Sequence, residues 1–278
     1  MVNLTVNGQS VTVPDGTTVL QAVRAAGVEL PTLCHHDGLS PYGACRLCMV
    51  TITTPHQALV ASCAYPAEEG MAVETDAPEA VSARHLALEF LLSRCPQSDV
   101  IRELAAGEGV TASRFGEPPP EQADELCILC GLCVRVCREA IGAAAISFIG
   151  RGMERRVGTP FDVQSDACIG CGACAEICPT GAIQIEDRGN KRILHTWNTT
   201  VELHACPECG RFFAPEPTAF LKEMLPEAAD VWALCPEFRR RRTARQYCSM
   251  RMTAGQPPQS GRGAAEPSSM TRNIWSWM

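Results

Sequence analysis

Cys127-Ile128-Leu129-Cys130-Gly131-Leu132-Cys133-Val134-Arg135-Val136-Cys137 and Cys168-Ile169-Gly170-Cys171-Gly172-Ala173-Cys174-Ala175-Glu176-Ile177-Cys178-Pro179 are two copies of one pattern, C-x2-C-x2-C-x3-C. In such runs three closely spaced thiolates bind one [4Fe–4S] cluster and the fourth reaches across to the other. Written onto this chain, the first cluster takes Cys127, Cys130, Cys133 and Cys178, and the second takes Cys168, Cys171, Cys174 and Cys137. Gly131, Gly170, Gly172 and Ala173 are small enough to let backbone N–H groups approach the cluster sulfides. Disulfides and zinc are the competing uses of cysteine. Nothing in the sequence points to an oxidising compartment, and zinc sites are built from two knuckles rather than runs of four. One position departs from the usual run: Arg138 follows Cys137, where proline is normal.

Composition sets the frame. The chain has 278 residues, enough for two or three small domains, and 17 cysteines. The opening Met1-Val2-Asn3-Leu4-Thr5-Val6 lacks the basic and apolar regions of a signal peptide, and no apolar stretch is long enough to span a bilayer. A reducing, cytoplasmic setting with thiols kept for metal is therefore expected. The net charge of −7 argues against nucleic acid as the main partner. A local basic run, Arg239 to Arg242 with Arg245, reads first as a solvated segment and second as a docking surface for an acidic partner.

The N-terminus carries a different cysteine set. Val2 to Val6 alternates as a strand, Asn7-Gly8 signals a hairpin, and Val11-Thr12-Val13 returns. Thr17-Thr18 offers an N-cap for a helix through Val19, Leu20, Ala22 and Val23 that ends at Gly27. Cys34, Cys45, Cys48 and Cys63 follow, and four cysteines with an internal C-x2-C suit a [2Fe–2S] cluster, each iron needing two thiolates.

Leu33-Cys34-His35 through Gly43-Ala44-Cys45-Arg46-Leu47-Cys48-Met49-Val50 resembles the N-terminal cluster domain of the large iron–sulfur subunit of complex I. The same domain occurs in the small diaphorase subunit of NAD-linked [NiFe] hydrogenases and in [FeFe] hydrogenases. Their first cysteine spacer is also longer than in plant-type ferredoxins. Cys133-Val134-Arg135-Val136-Cys137 and Gly150-Arg151-Gly152 extend the resemblance over roughly residues 1 to 188. It implies a subunit that passes electrons between a flavoprotein handling NAD(H) and a second redox catalytic subunit. Those relatives also carry a His-plus-three-Cys cluster between the two regions. Here Cys95 stands near the family's His, and Gln97-Ser98-Asp99-Val100-Ile101 supplies no cysteine. Leu88, Leu91, Leu92 and Cys95 fall at helical spacing, so Cys95 reads as a small buried hydrophobe and His85 as an ordinary helix residue.

The remaining chain organises around these centres. Pro78 to about Ala106 reads as helical and Gly107-Glu108-Gly109 as its break, with residues 107 to 125, including Pro118-Pro119-Pro120, as a linker. A short helix after Cys137 is expected to lead to a strand near Ile146 to Ile149. A hairpin through Gly150-Arg151-Gly152 then returns along Arg155-Arg156-Val157. Cys178 to Ile183 closes the second loop and enters a strand that ends near Asp187. Further on, Cys206-Pro207-Glu208-Cys209-Gly210 has the form of a zinc knuckle, and Cys235-Pro236-Glu237-Phe238 is half of a second. Zinc held by Cys206, Cys209 and Cys235 with Cys248 or His204 is the leading reading; a further iron–sulfur cluster and a metal-free knuckle are the others. A helix from about Pro217 to Leu225 would pack over that site. Residues 253 to 271 are too polar to fold alone, and Ile274-Trp275-Ser276-Trp277-Met278 suits partner docking.

The expected architecture is α+β: a β-grasp [2Fe–2S] domain (1–77), a helical linker (78–124), a bacterial-type two-[4Fe–4S] ferredoxin domain (125–190), a zinc-ribbon-like module (200–250) and a tail (253–278). The cofactors expected are one [2Fe–2S] cluster and two [4Fe–4S] clusters, with one zinc on the leading reading of the C-terminal cysteines. The chain has no dinucleotide fingerprint, phosphate loop or nucleophile–base pair, so no catalytic centre of its own is expected. The leading function is an electron-relay subunit of a multisubunit oxidoreductase. The alternative is a free-standing carrier that diffuses between enzymes.

Overall fold

A computed structural model describes residues 1–116, 118–120, 124–215 and 233–253. Two compact units make up the chain, one of residues 1–186 and 193–200, the other of 187–192 and 201–278.

The first unit begins with β1 (Val2–Val6) and β2 (Gln9–Val13), antiparallel in the register Val2 with Val13. Both turn residues have positive φ, Asn7 at 49° and Gly8 at 78°, as the tight turn of a twisted hairpin requires. Helix α1 (Val19–Ala25) follows. Its N-cap is the expected Thr18: Gln21 N–H donates to the Thr18 hydroxyl, and the Gln21 side chain accepts from Thr18 N–H at 2.9 Å. Strands β3 (Met49–Thr54), β4 (Ala58–Ala61) and β5 (Ala72–Glu74) complete a sheet in the order β2-β1-β5-β3-β4. The β1–β5 pair is parallel and the others are antiparallel. Leu4, Val6 and Val73 on the sheet pack with Val19, Leu20 and Val23 of α1 in one fully buried core, the sheet-over-helix layering expected of a β-grasp domain.

The helical stretch from Pro78 is not one helix. It divides into α2 (Pro78–Arg94) and α3 (Asp99–Gly107). Pro96 lacks an N–H and restricts the residue before it, so the break falls at Cys95, whose backbone leaves the helical region (φ −130°, ψ 63°). Buried Arg84 of α2 donates to the carbonyls of Thr75 (2.8 Å) and Met49 (3.1 Å) and lies 3.7 Å from Glu108 just past α3, tying the pair to the sheet.

Helix α4 (Leu132–Arg135) starts earlier than expected and continues as a single π turn over Val136–Ala140, so Cys137 lies within the helix rather than before it. Gly131, at φ 73°, makes the sharp entry that allows the early start. β6 (Ser147–Ile149) and β7 (Arg156–Gly158) form the expected hairpin. Helix α5 (Ala173–Glu176) begins after Gly172 (φ 82°), and β8 (Ile185–Arg188) and β9 (Lys191–Leu194) follow.

In the second unit β10 (Thr199–Ala205) pairs antiparallel with β11 (Phe212–Pro215), and helix α6 covers Pro236–Thr253. The basic run lies on α6, with Arg240, Arg242 and Arg245 exposed and Arg241 paired to Glu237 at 2.6 Å. The expected helix at 217–225 and the apolar C-terminal tail fall outside the described residues. No helix among the described residues is long and apolar enough to cross a membrane.

Candidate metal centres

The N-terminal cysteines converge from three loops. Cys34 follows α1, Cys45 and Cys48 lie on the approach to β3, and Cys63 sits in a 3-10 turn (Ser62–Ala64) after β4; all four are buried. The Cys45 N–H donates to Cys34 Sγ at 3.4 Å. Ser62 fixes the Cys48 main chain, its hydroxyl and N–H donating to Cys48 O at 2.7 and 3.0 Å. The thiols compete for protons. Hydrogen bonds from Cys45 and Cys63 hold Cys34 down to about 2, and Cys63 holds Cys48 to about 6, while the donors Cys45 and Cys63 are pushed up. Four buried sulfurs sharing charge in this way are a donor set suited to a cationic iron pair.

The doubled run folds as a doubled structure. Leu129 and Gly131 in the first copy have φ of 56° and 73°; Gly170 and Gly172 in the second have 65° and 82°. Each copy thus makes the same loop into a short helix, and α4 packs on α5. Two cavities result. One, of about 260 Å³, is lined by Cys127, Cys130, Cys133 and Cys178; a smaller one is lined by Cys137, Cys168, Cys171 and Cys174. The crossover has a simple geometric cause. Cys133 and Cys137 lie one turn apart on α4 and its extension, as do Cys174 and Cys178 from α5 onward, roughly 6 Å along the axis. Each short helix therefore reaches one cavity with its first cysteine and the other with its second.

Burial without a compensating cation pushes Cys130 and Cys174 up to about 11 and also raises Cys127, Cys133, Cys168 and Cys171. Each cavity gathers four cysteine side chains, a donor set that fits a metal cluster, and bound cations would keep these sulfurs ionised. Donors to the sulfurs are also in place. Ala145 N–H lies 3.3 Å from Cys137 Sγ, and Trp197 Nε1–H lies 3.4 Å from Cys174 Sγ. Arg94 donates to Cys127 O at 2.8 Å and Glu125 accepts from Cys127 N–H at 2.7 Å, fixing the start of the first run.

The N-terminal cysteine loop and the first loop of the doubled run share a core. Leu33, Cys34, Cys45 and Leu47 pack in one buried cluster with Ile128, Cys130, Leu132 and Val136. Arg135, 5% exposed, donates to the carbonyls of Cys34 and Ser40, and its guanidinium lies 5.3 Å from the centre of the Tyr42 ring. Glu139 accepts from Ser40 N–H at 2.8 Å. Sequence reasoning missed the roles of Arg135 and Trp197. Arg135 lies inside the cysteine run but carried no independent signal, and Trp197 lies beyond the last cluster cysteine in a stretch without a motif.

Cys95 is fully buried among Leu88, Leu91, Ile101 and Ala105, and burial pushes its thiol up to about 12. That is the environment of a small hydrophobe.

In the second unit the sulfurs of Cys206, Cys209 and Cys235 lie within 4.8 Å of one another, with Cys209 and Cys235 at 3.8 Å. The knuckle turn is closed by Gly210 N–H to Cys206 O (2.8 Å) and Cys206 N–H to Arg211 O (2.9 Å). Burial opposes ionisation of Cys206, but the N–H groups of Cys235, Glu208 and Cys209 outweigh it and bring the thiol down to about 7. His204 faces Ala214 across the β10–β11 pair, and its ring packs edge-on against Phe213 at 4.5 Å. Cys248 lies on α6, its side chain outside the described residues.

A 2Fe-2S iron-sulfur cluster binding domain matches residues 1–78, and a 4Fe-4S dicluster domain matches residues 126–182 and again 167–211. A chain of an NAD+-reducing [NiFe]-hydrogenase solved in the H2-reduced state superposes with a TM-score of 0.56 at 31% identity, over 65% of this chain and 86% of that one. The chain belongs to this iron–sulfur family. Its curated relatives include NADH dehydrogenase [ubiquinone] iron-sulfur protein 1 of Solanum tuberosum, 34% identical over 66% of this chain. Another is the mitochondrial NADH-ubiquinone oxidoreductase 78 kDa subunit of Neurospora crassa, 32% identical over 66% of this chain. The chain spans 27% of the length of each of these two relatives.

Proposed function

We propose that the chain is an electron-relay subunit of a multisubunit oxidoreductase, passing single electrons between a flavoprotein subunit that exchanges them with NAD(H) and a second redox catalytic subunit. The observation that carries this reading is the pair of crossed cavities, each lined by four cysteines drawn from both copies of the run. Cys34, Cys45, Cys48 and Cys63 would hold a [2Fe–2S] cluster. Cys127, Cys130, Cys133 and Cys178 would hold one [4Fe–4S] cluster, and Cys168, Cys171, Cys174 and Cys137 the other. Such clusters accept and release one electron at a time, plant-type [2Fe–2S] centres working near about −400 mV, which suits nicotinamide and flavin couples. The protein's part is to bury most of the sulfurs, aim N–H groups at some of them and hold the N-terminal site and the first [4Fe–4S] site in one core. The names of the relatives and the hydrogenase neighbour support the partner assignment.

The module spans that accompany this reading are 1–77, 78–124, 125–190, 200–250 and 253–278. In the fourth, we assign a structural zinc to Cys206, Cys209 and Cys235, with Cys248 or His204 as fourth ligand. Zn–S bonds of about 2.3 Å in a tetrahedron set sulfurs about 3.8 Å apart. The Cys209–Cys235 separation of 3.8 Å matches that spacing.

Purification without air, followed by metal analysis, EPR and identification of co-purifying subunits, tests the whole reading. About ten irons and one zinc per chain are expected, with stoichiometric partners. A monomer carrying those irons but no partner would favour the free carrier, and fewer irons would reject the cluster assignment.

A further inference from the structure

The indole of Trp197 stands at both sulfur-lined cavities. It contributes to the walls of each, is 2% exposed, and aims Nε1–H at Cys174 Sγ, 3.4 Å away. Its loop is held from both sides. The 3-10 turn His195–Trp197 follows buried Leu194. Asn198 takes a left-handed φ of 48° and donates from its side chain to Asp162 O at 3.2 Å. The buried Thr199 hydroxyl donates to Trp197 O at 2.9 Å. Apolar packing alone would account for a buried ring, but not for an N–H directed at one particular sulfur.

An N–H···S bond stabilises negative charge on the sulfur. Adding an electron makes a cluster more negative, so the donor favours the reduced state and raises the potential. The bond is one-sided, because it reaches Cys174 of the second set while the ring also borders the first cavity. The second set also includes an exposed cysteine, Cys171, whereas Cys130 and Cys133 of the first are buried.

Resting on the two-cluster reading above, we propose that Trp197 is a positioning residue that raises the potential of the centre held by Cys137, Cys168, Cys171 and Cys174 above that of its neighbour. An electron arriving at the pair then settles on the centre that reaches the surface.

The test uses the full chain with its clusters, in EPR-monitored redox titrations of wild type and Trp197→Phe. The second centre is assigned from its perturbation in Cys171→Ser. Phenylalanine keeps an aromatic ring but loses the N–H donor together with the pyrrole part of the indole. The expected result is a downward shift of the second centre, a tenfold change in its reduced-to-oxidised ratio at fixed poise (about 59 mV for one electron), with the first centre unmoved. Equal shifts of both centres, or none, in iron-complete protein would overturn the proposal.

A measurement on wild type guards against a variant that does not fold. With 15N-labelled tryptophan, the reduced second centre should show hyperfine coupling to one indole nitrogen and the first should not. Absence of that coupling in iron-complete protein overturns the proposal. Wild type short of the about eight irons of two [4Fe–4S] clusters would overturn the two-cluster reading itself.

Discussion

The guanidinium of Arg135 donates to the main-chain carbonyl of Cys34, so a residue inside the first copy of the doubled cysteine run grips a residue of the N-terminal cysteine set. A second N–H of the same group holds Ser40 O. Two carbonyls of the [2Fe–2S] loop thus depend on one fork-shaped cation. Arg135→Ala should leave them unpaired and destabilise the unit by about 1.5–3 kcal/mol, the range for hydrogen bonds to a charged group. It should also release iron from the [2Fe–2S] site first. Arg135→Lys keeps the charge but not the fork and should restore only part of the loss. Denaturant titration with visible absorbance of the clusters measures both, and iron retention equal to wild type in the alanine variant would refute the coupling.

Gly131 offers a test of packing at the same junction. Its φ is 73°, and an added Cβ would meet Phe148 and Tyr42 at 3.1 Å each. Gly142 has φ 77° but open space around its Cβ position. Gly142→Ala should therefore cost about 1–2 kcal/mol for the left-handed backbone alone. Gly131→Ala should cost more, because the Tyr42 and Phe148 rings must move as well. Equal losses in thermal unfolding would mean that this junction is looser than the geometry indicates.

Much of the arrangement was legible because cysteine spacing is a strict code. Two runs of one spacing put cysteines from both copies around each of two cavities once the chain is helical across four residues, and the Asn7-Gly8 turn and Thr18 cap are local signals with local causes. What stayed hidden depends on long-range contacts. Nothing in the sequence around Trp197 says that its loop returns to Cys174, and Arg135 could have been another solvated arginine. The division of α2 from α3 at Cys95-Pro96 was visible in principle, but the periodicity of the flanking leucines masked the proline.

Acid should loosen the segment after α3. Arg114 grips Glu89 of α2 at 2.6 and 2.8 Å, while Phe115 stacks on Phe90 at 4.2 Å. The Arg114 partner holds the Glu89 carboxyl below its ordinary value. A depressed carboxylate contributes stability that is present above its unfolded pKa and is lost as pH falls through the folded one. The contact should therefore be complete at neutral pH and fade below about pH 4, near the ordinary glutamate value. Limited proteolysis around residues 110–116 at stepped pH should show cleavage rising on the acid side. Glu89→Gln should cleave readily at every pH; a wild-type profile in that variant would show that the ion pair does not hold the segment.

The three sulfurs of the second unit should be separable from the iron sites. Cys206→Ser or Cys235→Ser should abolish zinc binding and leave about ten irons in place, because no iron-site cysteine is touched. Metal analysis of the two variants distinguishes zinc from a further cluster: loss of about four irons together with unchanged zinc would show that the knuckle belongs to an iron–sulfur site.

Cys95 decides whether the cluster that the resembling family carries between its two regions has a remnant here. It is fully buried in an apolar cluster with Leu88, Leu91, Ile101 and Ala105, and it lines neither of the cysteine-walled cavities. Cys95→Ala should leave the iron count unchanged and cost about 1–2 kcal/mol for the small void, at the low end for core truncations. Cys95→Ser preserves shape but buries a hydroxyl, so it should cost at least as much. A cluster ligand would behave in the opposite order, since serine can replace a thiolate at iron while alanine cannot. Loss of iron in Cys95→Ala that Cys95→Ser partly restores would therefore show Cys95 to be a ligand.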